Sequence, residues 1–370
     1  MRVNILRQQI LTLEHSAMLI FSDINIRYVS GFSGHAATIL ITSKVNYLIT
    51  DYRYFEQAKK QVKGFKVVCR DRANQTLTAL IIELLIQENC QVLFFEGEHI
   101  SVSHWQEMSL QIEDQSQVNQ MFPLAGTVEK LRMIKTADEI TYIKQAADIA
   151  DKALVNILPL VKEGITEQEL ANELDYQMAK LGSEELSFAT ILLFGERSAL
   201  PHGIPSSRPL KQGDLILIDF GAVVNGYRSD MTRTLVFGEA NTKQKQIYQL
   251  VQSAQQAAIN ALVQAGNKSV TGEYLYQQSA NILLTSDYKN YAGEGLGHGV
   301  GLQLHEQPFL GPDCKTTIEK GCVITIEPGI YIPNWGGIRI EDDVVLTDNG
   351  LEILNKSPKE FIELSNLKKS

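Results

Sequence analysis

Around positions 215–236 an apolar run, Leu215-Ile216-Leu217-Ile218, ends in Asp219, and a second strand pattern resumes after Asn225-Gly226. Asn-Gly between two strand-like runs selects a two-residue type I′ turn, because both central residues must take positive φ and these two tolerate it. Such a turn fixes the register: Val224 faces Tyr227, Asp219 faces Thr232 and Gly221 faces Asp230. Side chains alternate along a strand, so Asp219 and Asp230 share one face as diagonal neighbours, about 7–8 Å apart at the backbone. Two carboxylates converging at the end of a buried strand repel unless a proton or a cation intervenes. On the hairpin alone, a pair of solvated turn residues explains the pattern equally well.

Further along, Gly297-His298-Gly299-Val300-Gly301 is followed by His305-Glu306-Gln307-Pro308. Small residues there let backbone approach an ion or a substrate closely. In Val323-Ile324-Thr325-Ile326-Glu327-Pro328-Gly329, alternation sets Glu327 opposite Ile324 and Ile326, at a strand end closed by proline and glycine. In Gly337-Ile338-Arg339-Ile340-Glu341-Asp342, Arg339 and Glu341 share a face. Singly, each reads as a structural histidine or a surface charge. Together Asp219, Asp230, His298, Glu327 and Glu341 supply four carboxylates and one imidazole, with no thiolate. That set suits two hard or borderline divalent ions such as Mn²⁺ or Co²⁺ better than a tetrahedral structural zinc. Its carboxylates can bridge ions about 3.5–4 Å apart.

The 370 residues divide by texture. Within 14–122, segments 18–21, 38–42, 45–50 and 92–95 read as strands and 77–86 as a helix, which predicts a small α/β domain. Pro123 and Gly126 mark 122–126 as a linker, giving domains 1–124 and 125–370. The second domain opens on capping-box spacings, Thr136 with Glu139 and Thr166 with Glu169, each followed by a helical apolar stripe. A third helix runs over 242–265 to Gly266, and strands are expected at 215–223, 227–236, 322–327 and 338–345. The predicted class is α+β with a largely antiparallel sheet.

A net charge of −9 argues against nucleic acid or an anionic membrane as the main partner. No apolar run nears the roughly 18 residues a membrane helix needs. Cys69, Cys90, Cys314 and Cys322 form no CxxC pair and read as free thiols. With no signal core at the N-terminus, the expected location is cytoplasmic.

The five candidate ligands in this order, with Pro201-His202-Gly203 upstream and His305-Glu306-x-Pro308, resemble the metallopeptidase family of aminopeptidase P, prolidase and methionine aminopeptidase. The N-terminal part resembles the creatinase-like domain of the proline-specific branch. Its carriers are Asn25-Ile26-Arg27-Tyr28-Val29-Ser30-Gly31-Phe32-Ser33-Gly34 and Thr50-Asp51-Tyr52-Arg53-Tyr54-Phe55-Glu56-Gln57-Ala58. Methionine aminopeptidases lack that domain, although they share the His202-Gly203-Ile204-Pro205 pattern.

The resemblance implies a C-terminal pita-bread catalytic domain behind a creatinase-like α/β domain. It implies an Xaa-Pro aminopeptidase acting on peptides with proline in second position, and a homodimer. The alternative is a prolidase restricted to Xaa-Pro dipeptides, which must capture a free carboxylate with a basic residue that the sequence does not reveal. A non-catalytic pita-bread binding protein is the remote alternative, disfavoured because all five ligand positions are filled.

Carried over by position, Asp219 chelates one ion, His298 and Glu327 the other, and Asp230 and Glu341 bridge. The ions implied are Mn²⁺, with Co²⁺ or Zn²⁺ as alternatives, and the nucleophile is a hydroxide held between them. Glu327 shuttles the proton to the leaving nitrogen. His202 and His305 hydrogen-bond the substrate and the oxyanion, and Arg339 orients the carboxylates. The sequence departs from the family pattern at Glu294, where histidine is common, and at Leu304, where Ile or Val is usual.

Overall fold

The computed structural model describes residues 2–10, 15–266 and 269–364. Contacts divide the chain into two units, Met1–Arg132 and Met133–Ser370.

In the first unit a six-stranded sheet runs in the order Lys66–Arg70, Asn46–Asp51, Ala37–Thr42, Ser16–Ile20, Val92–Glu96, Gln120–Leu124. Ala37–Thr42 pairs antiparallel with both of its neighbours, and the other pairings are parallel. One face buries Leu19, Leu40 and Ile49 against Ile81 and Leu85 of the helix Leu77–Gln87 and against Met108 and Ile112 of Val102–Gln115.

The linker expected at 122–126 is mostly the edge strand Gln120–Leu124, with Phe95 opposite Pro123. A proline lacks the amide hydrogen a central strand needs, and an edge position tolerates the loss. The division falls later, after the helix Thr127–Arg132. That helix is tied to the first unit through buried Asn25, whose Oδ1 accepts from Arg132 Nη1 at 2.9 Å. Asn25 Nδ2 donates to Glu96 Oε1 at 2.6 Å and to Glu129 Oε1 at 2.5 Å.

In the second of the two N-terminal motifs, the Asp51 carboxylate accepts from Arg53 Nε at 2.9 Å and Nη2 at 2.8 Å. These bonds pull its pKa down to about 2. A depressed carboxylate stabilises the fold above its unfolded pKa and loses that contribution as pH falls through the folded value. Asp51→Asn is therefore expected to lower the thermal midpoint at pH 7. Melts recorded from pH 7 down to about 2 should show the gap to the unsubstituted chain closing, mainly below about 4.

The two larger sheets of the second unit are mainly antiparallel. One is ordered Glu363–Leu364, Met231–Phe237, Leu215–Phe220, Ile191–Phe194. The other is ordered Glu306–Leu310, Gly297–Gly299, Val323–Ile326, Asp342–Thr347, Gly350–Ile353. The helices Ala137–Ile157 and Glu167–Lys180 start at Thr136 and Thr166 with complete capping boxes, each N-cap contributing about 1 kcal/mol. Their stripes, including Ala150, Leu154, Leu170 and Leu174, pack on Ile216, Ile218 and Phe220 of the first sheet. The helices Thr242–Ala265 and Gly272–Leu284 cover Ile324, Ile326 and Val344 of the second.

The hairpin register is the expected one, with Val224 paired to Tyr227 and Asp219 to Thr232. Asn225 and Gly226 both take positive φ, 49° and 76°. The strand expected over 215–223 breaks after Phe220, where a Cβ on Gly221 would strike the Ser229 carbonyl oxygen. No helix among the described residues is long and apolar enough to cross a membrane.

Candidate metal centre

Three carboxylates meet where the two sheets present their strand ends. Asp219 closes the strand Leu215–Phe220, Asp230 precedes Met231–Phe237, and Glu341 lies between Gly336–Arg339 and Asp342–Thr347. All three are buried, and each offers one oxygen within 4.8 Å of the others. Asp219 Oδ1, Asp230 Oδ1 and Glu341 Oε1 have no hydrogen-bond partner among the described residues. A buried acceptor left unpaired costs about 1–3 kcal/mol, and more when it is charged.

Burial, then the charges of their neighbours, hold the Asp230 and Glu341 carboxyls well above the ordinary carboxylate range. Asp219 is also raised by burial, against the pull of Arg339. Divalent cations at this point would satisfy the orphaned oxygens and cancel the repulsion together, so the donor set fits a metal.

His298 and Glu327 flank the trio. His298 Nε2 lies 3.3 Å from Glu327 Oε1 and 3.7 Å from Asp230 Oδ2, while its Nδ1 lies 3.1 Å from the Gly299 carbonyl oxygen. That second contact orients the ring so that Nε2 faces the carboxylates. Burial pulls the His298 pKa down, but the bond to Glu327 and its charge lift it above the ordinary value. For Glu327, burial pushes up and the same bond and charge outweigh it, so the net shift is downward.

One hydroxyl ties the His298 backbone to the Glu327 side chain: Thr325 Oγ1 accepts from the His298 backbone amide at 3.0 Å and donates to Glu327 Oε1 at 3.1 Å. Gly297 permits this closeness, since a Cβ there would meet the Thr325 carbonyl oxygen. Removal of that hydroxyl in Thr325→Val is expected to weaken Mn²⁺ binding by about 10–100-fold in calorimetric titration, with the melting transition still cooperative.

Arg339 braces the other side. It donates from Nη2 to Asp219 Oδ2 at 2.5 Å, from Nε to Thr232 Oγ1 at 2.9 Å and from Nη1 to the Tyr331 hydroxyl at 2.7 Å. Thr232 Oγ1 in turn donates to Glu341 Oε2 at 2.5 Å. The cluster opens onto a cavity of about 930 Å³, whose wall includes His202, His305, Tyr331 and Glu294. His305 stands edge-on to His298, ring centroids 4.3 Å apart, and burial followed by the His298 charge lowers its pKa.

Residues 141–348 match Metallopeptidase family M24, and residues 2–134 match the Creatinase/Prolidase N-terminal domain. The chain belongs to metallopeptidase family M24. It is 38% identical to the Xaa-Pro dipeptidase of Pyrococcus furiosus, over 93% of this chain and 94% of that one. A solved Xaa-Pro dipeptidase from Bacillus anthracis superposes with a TM-score of 0.91 at 37% identity, covering 98% and 99% of the two chains. The X-Pro aminopeptidase from Thermotoga maritima gives 0.86 at 33% identity, covering 94% and 97%.

The second unit of this M24 enzyme, a metallo-exopeptidase, is therefore a pita-bread fold, and the first is a creatinase-type domain. Sequence reasoning missed four residues of the centre. Thr232 and Thr325 sit at register positions that the period-two rule reaches, opposite Asp219 and two before Glu327. Asp343, whose Oδ2 accepts from the Asp230 amide at 2.9 Å, lies two residues after Glu341 on the same face. Tyr331 gave no signal.

Proposed function

We propose that this chain is an Xaa-Pro dipeptidase that uses two divalent cations held by Asp219, Asp230, His298, Glu327 and Glu341. The observation that carries the chemistry is the set of three buried carboxylate oxygens that lack partners among the described residues and converge at the base of an open cavity. When bound, the cations polarise the scissile carbonyl and bring the pKa of water toward neutrality. Glu327, which shares the cavity wall with His298, takes the proton from the attacking water and delivers it to the proline nitrogen, which leaves only once protonated. His202 and His305 donate to the carbonyl oxygen as negative charge grows on it. Arg339 keeps Asp219 aimed directly and Glu341 through Thr232.

The dipeptide preference, which replaces the aminopeptidase expected from the sequence, rests on the Pyrococcus and Bacillus dipeptidases matched along nearly their whole lengths. The oxygen-rich donor set favours Mn²⁺, with Co²⁺ or Zn²⁺ as alternatives. One observation keeps the aminopeptidase reading in play. Among the described wall residues Arg339 is the sole Lys or Arg, and its guanidinium is committed to Asp219, Thr232 and Tyr331. A free proline carboxylate thus finds no spare Lys or Arg among the described wall residues.

Ala-Pro, Ala-Pro-Ala and Met-Ala peptides, assayed with Mn²⁺, separate the readings. Preferred cleavage of Ala-Pro supports the dipeptidase, cleavage of Ala-Pro-Ala alone supports the aminopeptidase, and cleavage of Met-Ala alone overturns both. Four free cysteines fit the proposed cytoplasmic location. A homodimer is the proposed assembly, with light scattering as its check.

A further inference from the structure

One charged side chain on the cavity wall has no part in the chemistry above. Glu294 is exposed there, four residues before His298. Its segment is held on both sides: the Gly293 amide donates to the Gly329 carbonyl at 3.1 Å, and the Leu296 amide to the Leu310 carbonyl at 2.8 Å. The Glu294 carboxylate has no hydrogen-bond or ion-pair partner among the described residues. The other acidic groups of the wall, Asp219, Asp230, Glu327 and Glu341, converge on the cation site. Arg339 is bonded to Asp219, and the remaining nitrogen-bearing groups of the wall include the imidazoles of His202, His298 and His305. Much of what remains is apolar, including Phe188, Ile191, Leu304 and Phe309. Such walls weaken solvent screening, so an uncompensated charge acts further than it would on an open surface.

We infer that Glu294 gives the enzyme a charge preference, favouring substrates whose residue before proline carries a cationic side chain over those where it is acidic. The inference rests on the Xaa-Pro reading above. Proline brings no side-chain charge, so the first residue is where substrates of one length differ in charge. A Lys or Arg side chain gains attraction from Glu294 on approach and in the bound state, whereas Asp or Glu meets repulsion.

The test compares kcat/KM for Lys-Pro, Ala-Pro and Glu-Pro, and for the same three extended by alanine, using the full Mn²⁺-loaded chain at low and high salt. Lys is expected to exceed Glu by about tenfold or more in the unsubstituted enzyme, to stay within about twofold of it in Glu294→Gln, and to fall below it in Glu294→Lys. Added salt should compress the unsubstituted ratio. Equal Lys and Glu rates in the unsubstituted enzyme, or a ratio that neither substitution moves, overturns the inference. Cleavage of Ala-Pro or Ala-Pro-Ala in that same experiment leaves the Xaa-Pro activity standing. Failure of every Xaa-Pro substrate overturns both.

Discussion

Glu327→Gln is expected to lower kcat by about 10²–10⁴-fold while the fold persists. Glutamine keeps the volume of the side chain and an oxygen that can face a cation, but its amide cannot accept a proton from water and return it to the proline nitrogen. The loss should therefore fall on kcat more than on KM, because the substrate contacts assigned to His202, His305 and the cavity wall remain. Glu327 is also a proposed ligand and is hydrogen-bonded to Thr325 and close to His298, so metal loss must be separated from lost proton transfer. Calorimetric titration with Mn²⁺ makes that separation. A variant that binds the metal and turns over slowly supports the shuttle. Near-native rates from a variant with bound metal refute it.

How far the centre could be read from the sequence depended on how local its determinants are. Asn225-Gly226 fixes a register across a short stretch of chain, so the convergence of Asp219 and Asp230 was legible in the chain itself. Glu327 and Arg339 were legible for a similar reason, since alternation along a strand decides the face each one takes. The caps at Thr136 and Thr166 were equally local.

The end of the first unit was not. Pro123 and Gly126 look like a linker, yet the following helix is held by distant contacts, among them the bond from Arg132 to Asn25, 107 positions away. No local pattern carries such a contact. The threonines escaped notice because a β-branched residue in a strand needs no further explanation. Their bonds to His298, Glu327 and Glu341 exist only once separate strands are brought side by side. Substrate length is harder still, because the cavity wall gathers segments from Phe188 to Glu341 and the feature that would decide it, a Lys or Arg free to pair with a carboxylate, is missing from the described wall residues.

Asp230→Asn is expected to move stability in opposite directions with and without metal. In the metal-free protein the Asp230 carboxyl is raised by burial and by Glu341, Asp219 and Glu327, and Asp343 beside it is pushed up to about 8. A carboxyl with a raised folded pKa binds more protons folded than unfolded, so stability falls as pH climbs from the ordinary carboxylate range toward the folded value. Metal-free protein should therefore melt at a higher temperature near pH 5 than near pH 8. The asparagine variant lacks the Asp230 share of that slope, so its metal-free midpoint should exceed that of the unsubstituted chain, with the gap widening as pH rises.

Saturating Mn²⁺ reverses the order. Cations bound to the native state stabilise it by about 4 kcal/mol when free metal exceeds Kd a thousandfold. The neutral amide of the variant removes one of the negative charges proposed to hold the cations, so most of the Mn²⁺-induced shift should vanish along with activity. Four melts decide the matter, each protein with chelator and with Mn²⁺ at pH 8. A variant less stable than the unsubstituted chain in chelator would mean that Asp230 is satisfied without a cation, and the cluster would then be structural.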